Sequence, residues 1–348
     1  MDTRRRRSDR HKRRPRKRKK LFVSFLLLFS LLFISTAAFA VFQYELGKNN
    51  AQQNLTEAND SDDTLDDETE VHEFQSKEPE NNEPINVLLI GVDTAEDEPA
   101  RTDTIMVAQY DPKNGDAKLA SIMRDTYVEI PGYRDNKINA SFFLGGPDLL
   151  RETIEHNFGL DLHYYAMVNF DGFVEVVDTI APKGIEVDVE DRMYYQSGST
   201  VIDFEPGTQV LDGQQALNYV RFRSDANNDF GRVERQQEML TLLKDELLTI
   251  SGLTRVPRLI GSVEPYLDTN IKTTRMLSLG RDFILNPVDD VQTLRIPVQD
   301  GYSDQHYSHA GAVLELDFEK NKEAIHSFFS NESKGFANDS TTEDDEDM

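Results

Sequence analysis

The sequence has no cysteine, which removes a disulfide framework, a thiol nucleophile, a Cys-ligated zinc site and a lipidated cysteine anchor. It has no G-x-x-x-x-G-K-[ST] segment, which argues against a nucleoside triphosphatase of that type. It also lacks a G-x-S-x-G nucleophile elbow. The seven histidines are scattered, with His306 and His309 three apart, and are expected to be solvated. No internal repeat is visible. Basic charge is concentrated at one end: Met1–Lys20 holds thirteen Lys or Arg against Asp2 and Asp9. The chain carries −25 in total and that segment +11, leaving −36 on the rest. So acidic a body is a poor nucleic-acid binder, because such binding runs on phosphate neutralisation. Any anion site within it must be a local basic cluster.

What is present begins with an apolar run. Leu21–Phe42 is twenty-two residues without a charge. At about 1.5 Å per residue it covers about 33 Å, enough for a hydrocarbon core of about 30 Å. The basic flank is retained in the cytoplasm, so the expectation is a single-pass membrane protein with its folded part outside. A cleaved signal peptide is the rival, since Ala38-Phe39-Ala40 resembles a cleavage site, but the run exceeds the usual h-region of about 7–15 residues. The basic block is expected to attract anionic lipid. The organisation read from composition is a basic cytoplasmic tail (1–20), a transmembrane helix (21–42), an acidic disordered stalk (43–84), an extracytoplasmic domain (85–330) and an acidic tail (331–348).

The domain reads as strands and helices in alternation. Ile85–Val92 is a near-continuous apolar run, as in a strand buried on both faces. Strands are expected at Thr104–Tyr110 and Ala117–Met123, joined by hairpin chemistry in Asp111–Asp116. Further strands are expected at 164–169, 185–189, 291–296 and 314–316. Helices are expected at 147–158, closed by Gly159, and at 170–180, 212–219, 232–250, 254–266, 273–285 and 319–329. This is an α/β class protein: a layered α-β-α domain with a mixed central sheet, preceded by one transmembrane helix.

Two clusters carry chemistry. Asp93 ends the first buried strand and Asp103 lies in Arg101-Thr102-Asp103-Thr104, where the next begins. Strand ends are where ligands bind in open α/β sheets, and two carboxylates there suit a hard divalent cation such as Mg²⁺. Capping or turn roles explain each Asp equally well. The second cluster is Arg124, Arg221, Arg223, Arg232 and Arg235 with Gln236. Guanidinium forks bind phosphate bidentately. Arg221 and Arg223 share one face if their segment is extended. Arg232 and Gln236 are four apart, hence on one helix face near its N-terminal end. The competing reading is a set of ion pairs with Asp225, Asp229 and Glu234. A phosphate clamp with a metal pair implies chemistry on a phosphate ester or pyrophosphate.

In order and type these residues resemble the LytR-CpsA-Psr family of bacterial envelope proteins. The resemblance runs from about Ile85 to Leu243 in five segments: NVLLIGVD (Asn86–Asp93), ARTDTIMV (Ala100–Val107), LASIMRDTYVEIPGY (Leu119–Tyr133), NKINASFFLGG (Asn136–Gly146) and LDGQQALNYVRFR to GRVERQQE (Leu211–Glu238). The chain departs from the pattern at Met123, where members usually have Pro, and at Ala181-Pro182-Lys183-Gly184, where a Gly-Gly turn is usual. The resemblance implies a phosphotransferase that moves a glycopolymer, teichoic acid or similar, from a polyprenyl-pyrophosphate carrier to the peptidoglycan glycan strand, at the cell membrane of a Gram-positive type bacterium. It implies that Asp93 and Asp103 hold Mg²⁺ (or Mn²⁺), that Arg101, Arg124, Arg221, Arg223 and Arg232 clamp the pyrophosphate, and that Gln236 adds a hydrogen bond. Asp125 and Asp225 are conceivable bases. The polyprenyl tail needs an apolar slot, for which Phe142, Phe143, Leu144, Phe170, Phe173 and Val177 are candidates beside ordinary core roles. A hydrolase of the same lipid and a non-catalytic lipid-binding regulator are the alternatives.

Overall fold

The computed structural model describes residues 35, 38–53, 74–79, 83–93, 101–197, 200–223, 228–288 and 290–330. The basic tail, most of the apolar run 21–42, residues 54–73 of the expected stalk and the tail 331–348 lie outside them. Among the described residues no helix is long and apolar enough to cross a membrane.

The chain begins with helical residues 38–53 (α1) and then enters the sheet-forming region. There follow β1 (Ile85–Asp93), β2 (Arg101–Asp111), β3 (Asp116–Ile122), β4 (Thr126–Val128), β5 (Asn136–Lys137), α2 (Ile138–Phe158), β6 (Tyr164–Val168), α3 (Phe170–Ile180) and β7 (Ile185–Val189). Next come β8 (Met193–Ser197), β9 (Thr200–Phe204), β10 (Gly207–Leu211), α4 (Gly213–Arg221), α5 (Asn228–Leu248), α6 (Ile250–Leu253) and α7 (Val256–Val263). A 3₁₀ turn (Glu264–Tyr266), β11 (Leu267–Thr269), α8 (Thr273–Leu285), β12 (Val291–Ile296), β13 (Tyr302–Tyr307), β14 (Gly311–Leu316) and α9 (Phe318–Phe329) complete it.

The central sheet has six strands in the order β11-β6-β1-β2-β3-β12. It is mixed, as the combination of hairpin turns and alternating helices predicts: β1 runs parallel to β6 and antiparallel to β2, and β12 runs parallel to β3. The continuous apolar run of β1 serves both faces. Leu88, Ile90 and Val92 point into a core closed by Ile138, Leu150, Ile154 and Phe158 of α2 and by Ile325 and Phe328 of α9. Leu89 and Gly91 face the other way, toward α3, α4 and α5. Each fully buried Leu or Ile contributes about 1.5–3 kcal/mol relative to exposure, so this double-sided strand anchors the domain. A second core joins α3, α4 and α5 to β7–β10 through Val177, Ile180, Val187, Leu211, Tyr219 and Met239.

Three local features differ from the sequence expectations. Helix α2 starts nine residues before Pro147, because Ile138–Leu144 is already helical and only Gly145 (φ −155°) and Gly146 (φ 63°) break the helical geometry before Pro147 restarts it. Strands β4, β5, β8, β9, β10, β11 and β13 were not foreseen; they are two to six residues long, and much of β8, β9, β10 and β13 is solvent-exposed. Residues 43–53, expected in the disordered stalk, are helical and dock on α7. Small residues make this possible: a methyl group at Gly47 would come within 2.3 Å of the Arg258 carbonyl oxygen, and one at Gly261 within 2.1 Å of that of Tyr44. Further along, Phe74 packs on Tyr165 with ring centroids 4.8 Å apart.

Candidate active site

The site forms where β1 ends and β2 begins, beside the last residues of α4 and the first turns of α5. In the β1–β2 ladder Gly91 opposes Thr104, but Val92 opposes Thr102, so Asp103 has no partner and forms a β-bulge. Such a bulge re-aims a side chain. Thr102 stitches it closed, its buried hydroxyl 3.0 Å from the Thr104 carbonyl and 3.2 Å from that of Gly91. Asp103 is thereby turned to the same side as Thr104, toward the arginines. The bulge needs Gly91 nearby, since a Cβ there would lie 2.9 Å from the Thr104 Cβ.

Helix α4 begins with a capping box in which Asp212 accepts from the Gln215 N–H at 2.8 Å and Gln215 accepts from the Asp212 N–H at 3.1 Å. Its other end carries Arg221 and delivers Phe222 and Arg223. Arg235 donates to the Phe222 carbonyl at 2.5 Å and packs over its ring, so this arginine holds the α4–α5 connection. Tyr219 hydroxyl donates to Glu238 at 2.7 Å and ties the two helices together.

Three guanidinium groups converge on two carboxylates. Arg124 bonds Asp103, and Arg223 donates to the other Asp103 oxygen at 2.7 Å. Asp229 lies 3.5 Å from Arg124, 3.7 Å from Arg223 and 3.5 Å from Arg232. Asp125 is paired with Lys137 at 2.7 Å and lies 3.5 Å from Arg124. Gln236, one turn after Arg232, donates to the Thr104 hydroxyl at 3.0 Å. Arg221 lies 4.0 Å above the Phe170 ring, a cation–π arrangement. Of the ion pairs the sequence offered these arginines, those to Asp229 are present among the described residues, whereas Glu234 pairs with Arg295.

Arg232 is 2% exposed. Its Nε and Nη1, and the Nε of Arg124, are buried donors without a hydrogen-bond acceptor among the described residues. The carboxylates of Asp229 and Asp125 stand 3.5 Å from Arg232 Nη1 and Arg124 Nε, within ion-pair range but beyond ordinary hydrogen-bond length. Burial, reinforced by repulsion from Arg223, pulls the Arg232 pKa down to about 10 against the opposing pull of Asp229. Burial works against ionisation of Asp103, but the charges of Arg124 and Arg223 outweigh it and hold the carboxyl below its ordinary value. Burial likewise opposes the charge on Arg124, and Asp103 overcomes it, raising that pKa.

Beside the cluster lies a cavity of about 240 Å³ between the sheet and helices α3, α4 and α5. Its walls are apolar, with Leu89, Met106, Phe170, Phe173, Leu217 and Leu240 among them, and its mouth carries Asp103, Arg221, Arg223, Arg232 and Gln236. Of the apolar residues singled out in the sequence, Phe170 and Phe173 line this cavity. The other candidates do not line this cavity. Phe142 belongs to the core on the opposite sheet face, Phe143 and Leu144 are exposed, and Val177 is consumed in packing within the second core. Helix α3 turns Val176 rather than Val177 into the slot.

The backbones of Asp93 and Arg101 face each other in register, two residues from Asp103; their side chains and Asp225 lie outside the described residues. Both carboxylate oxygens of Asp103 are taken by Arg124 and Arg223, and no group of three or more His, Asp or Glu side chains that could hold a metal ion occurs among the described residues. Sequence reasoning missed Lys137 and the bulge. It treated Asp229 as a surface partner rather than the second hub of the cluster.

The layered α/β domain thus sets a cationic cluster beside an apolar cavity. The chain belongs to the LytR_cpsA_psr family, matching it over residues 49–325. It is 37% identical over 261 residues to "Regulatory protein MsrR" of Staphylococcus aureus, covering 75% of this chain and 79% of that one. It is 30% identical over 274 residues to "Polyisoprenyl-teichoic acid--peptidoglycan teichoic acid transferase TagU" of Oceanobacillus iheyensis, covering 77% and 80%. The solved structure of TagT bound to LIIa-WTA aligns with a TM-score of 0.56 at 26% identity, over 71% of this chain and 90% of that one.

Proposed function

We propose that the protein transfers a phosphoglycosyl polymer, wall teichoic acid or a similar anionic glycopolymer, from a polyprenyl-pyrophosphate carrier to peptidoglycan. We place it at the outer face of the cell membrane, held by one span with its N-terminus in the cytoplasm. The observation that carries this reading is the apolar slot opening onto buried, unsatisfied guanidinium donors. A lipid tail and a pyrophosphate are the two halves of one ligand that answers both. The names of the TagU and TagT relatives point to the same substrate class.

In this reading Arg101, Arg124, Arg221, Arg223 and Arg232 grip the pyrophosphate oxygens and Gln236 adds a donor. The acceptor hydroxyl oxygen of the glycan bonds to the sugar-side phosphorus. The bond from that phosphorus to the bridging oxygen breaks, and polyprenyl phosphate leaves with the electron pair. The hydroxyl proton passes to a base, for which Asp125 is a candidate held in place by Lys137. Such transfers are catalysed mainly by positioning and charge neutralisation, and donors already fixed in a dry site supply both. Asp93 and Asp103 would hold Mg²⁺, whose charge would help neutralise the pyrophosphate.

The test uses the full chain with a synthetic polyprenyl-pyrophosphate disaccharide and a peptidoglycan oligomer, with and without Mg²⁺. Polyprenyl phosphate release and the mass of the glycan product are followed for wild type and Arg221→Ala. Metal-dependent coupling that the variant loses is the expected result. Lipid release without coupling would mean a hydrolase, and binding without turnover a lipid-binding regulator, as the name of the MsrR relative suggests.

A further inference from the structure

Helix α1 changes character along its length. Phe39, Val41 and Phe42 are 49%, 62% and 62% exposed, whereas Ala51 is 0% exposed. The exposed half consists of the last residues of the apolar run; the covered half is docked on α7. The docking is specific. Gly47 and Gly261 let the two helix backbones touch. Around them the Tyr44 hydroxyl bonds Glu264, Lys48 pairs with Glu264 at 3.4 Å, and the Tyr266 hydroxyl reaches the Ala51 carbonyl at 3.4 Å. Tyr266 in turn abuts α3 at Gly172, where a methyl group would come within 2.8 Å of the Tyr266 Cβ. The first turns of α3 present Phe170 and Phe173 to the slot. Contacts therefore run without interruption from α1 through Tyr266 to the slot wall.

We propose that α1 is where the chain leaves the bilayer, and that its docking on α7 holds the slot mouth at the membrane surface, so that a polyprenyl lipid enters with its tail still in the membrane. This rests on the lipid-carrier reading given above. Distances separate it from a free tether. Nine residues of helix from Phe42 to Ala51 rise about 14 Å, which leaves Gly47 about 7 Å beyond the last apolar residue, within the headgroup layer. A flexible stalk spanning residues 43–84 would instead let the domain wander about 35 Å. Docking fixes both height and orientation, and a fixed geometry raises the effective concentration of a membrane-bound substrate. Aromatic residues with a polar end, such as Tyr44, suit that interface.

The absence of native cysteine makes the test clean. In full chain reconstituted in lipid nanodiscs, the pair Lys48→Cys/Glu264→Cys is treated with a short thiol cross-linker. An intramolecular cross-link is expected, and it should disappear when Gly261→Leu is added. Turnover is then compared on a long-chain polyprenyl-pyrophosphate disaccharide in the bilayer and on a water-soluble short-chain analogue. Gly261→Leu, and Lys48→Glu on the rim of the contact, should lose about tenfold or more on the long-chain lipid and keep the short-chain rate. The cross-linked protein should retain both. No cross-link in nanodiscs, or equal losses on both substrates, would overturn the proposal. Failure of wild type on both substrates would instead count against the transferase, and the cross-link would still decide whether α1 is docked.

Discussion

Substituting methionine for Arg232 removes a charge that the folded protein holds against its own interior. The guanidinium pKa is pulled down to about 10, chiefly by burial and then by Arg223. At about 1.4 kcal/mol per pH unit, that drop corresponds to about 3 kcal/mol of native-state destabilisation. The sign follows from the cation binding its proton less tightly in the folded chain than in the unfolded one. The cost is present in full at pH 7 and would fade only as pH rises through about 10 toward the ordinary arginine value. Methionine keeps most of the volume and leaves Asp103 and Asp229 paired with Arg124 and Arg223. The empty variant should therefore be more stable by about 2–3 kcal/mol, a rise in Tm of roughly 4–12 °C for a domain of this size. Ligand should reverse the order. A pyrophosphate lipid at about a hundred times its Kd stabilises wild type by about 2.7 kcal/mol, and Arg232→Met should show little of that gain. Differential scanning calorimetry of the full chain, with and without farnesyl pyrophosphate, reads both effects. A variant that melts below wild type and still responds to ligand would refute the reasoning and make Arg232 a structural hub.

Asp103→Asn should destabilise the empty protein by about 1–3 kcal/mol, since it withdraws the carboxylate that Arg124 and Arg223 share. The wild-type Asp103 carboxyl is held below its ordinary value, so its contribution is present above about pH 4 and is lost as pH falls through the folded pKa; urea midpoints between pH 3 and 7 should fall less for the variant. Leu240→Trp should fill the slot and abolish binding of long-chain lipids while inorganic pyrophosphate still binds, as titration calorimetry would show. Tyr219→Phe should cost about 1 kcal/mol by removing the bond to Glu238, and a larger loss of turnover than of stability would show that the α4–α5 tie sets the position of Arg221.

The layered α/β architecture was legible because its strongest signals are local and periodic. The doubly buried β1, the turn at Asp111–Asp116 and the amphipathic α5 carry their period in the sequence. The pairing of Arg232 with Gln236 on one helix face was legible for the same reason, and both reach the site. The lining of the apolar cavity was half legible. Phe170 and Phe173 line it, but nothing in the residue types distinguishes them from Phe142, which is equally aromatic and packs on the other sheet face. Side-chain direction depends on sheet register, and register is tertiary. Lys137 escaped notice, and Asp229 was read as a surface partner, because the convergence of Asp229 with Asp103 and Arg124 is tertiary. The docked half of α1 was hidden by the acidic composition that follows it, although Gly47 and Ala51 are spaced as one face of a helix.

The unpaired Asp103 sets the phase of everything before it. Side chains along a strand alternate, so one surplus residue in β2 reverses the parity of the segment that leads into the site. Deleting a single residue from Arg101–Thr104 would restore an even ladder and swing the carboxylate out of reach of all three guanidiniums, with the hydrophobic pattern of Ile105 and Val107 untouched. Two deletions would restore the phase but shorten the reach. Length variation is therefore permitted by this geometry before Arg101 and forbidden after it. In an alignment of related chains, a gap falling within these four positions would mark a protein that has given up this site while keeping its fold.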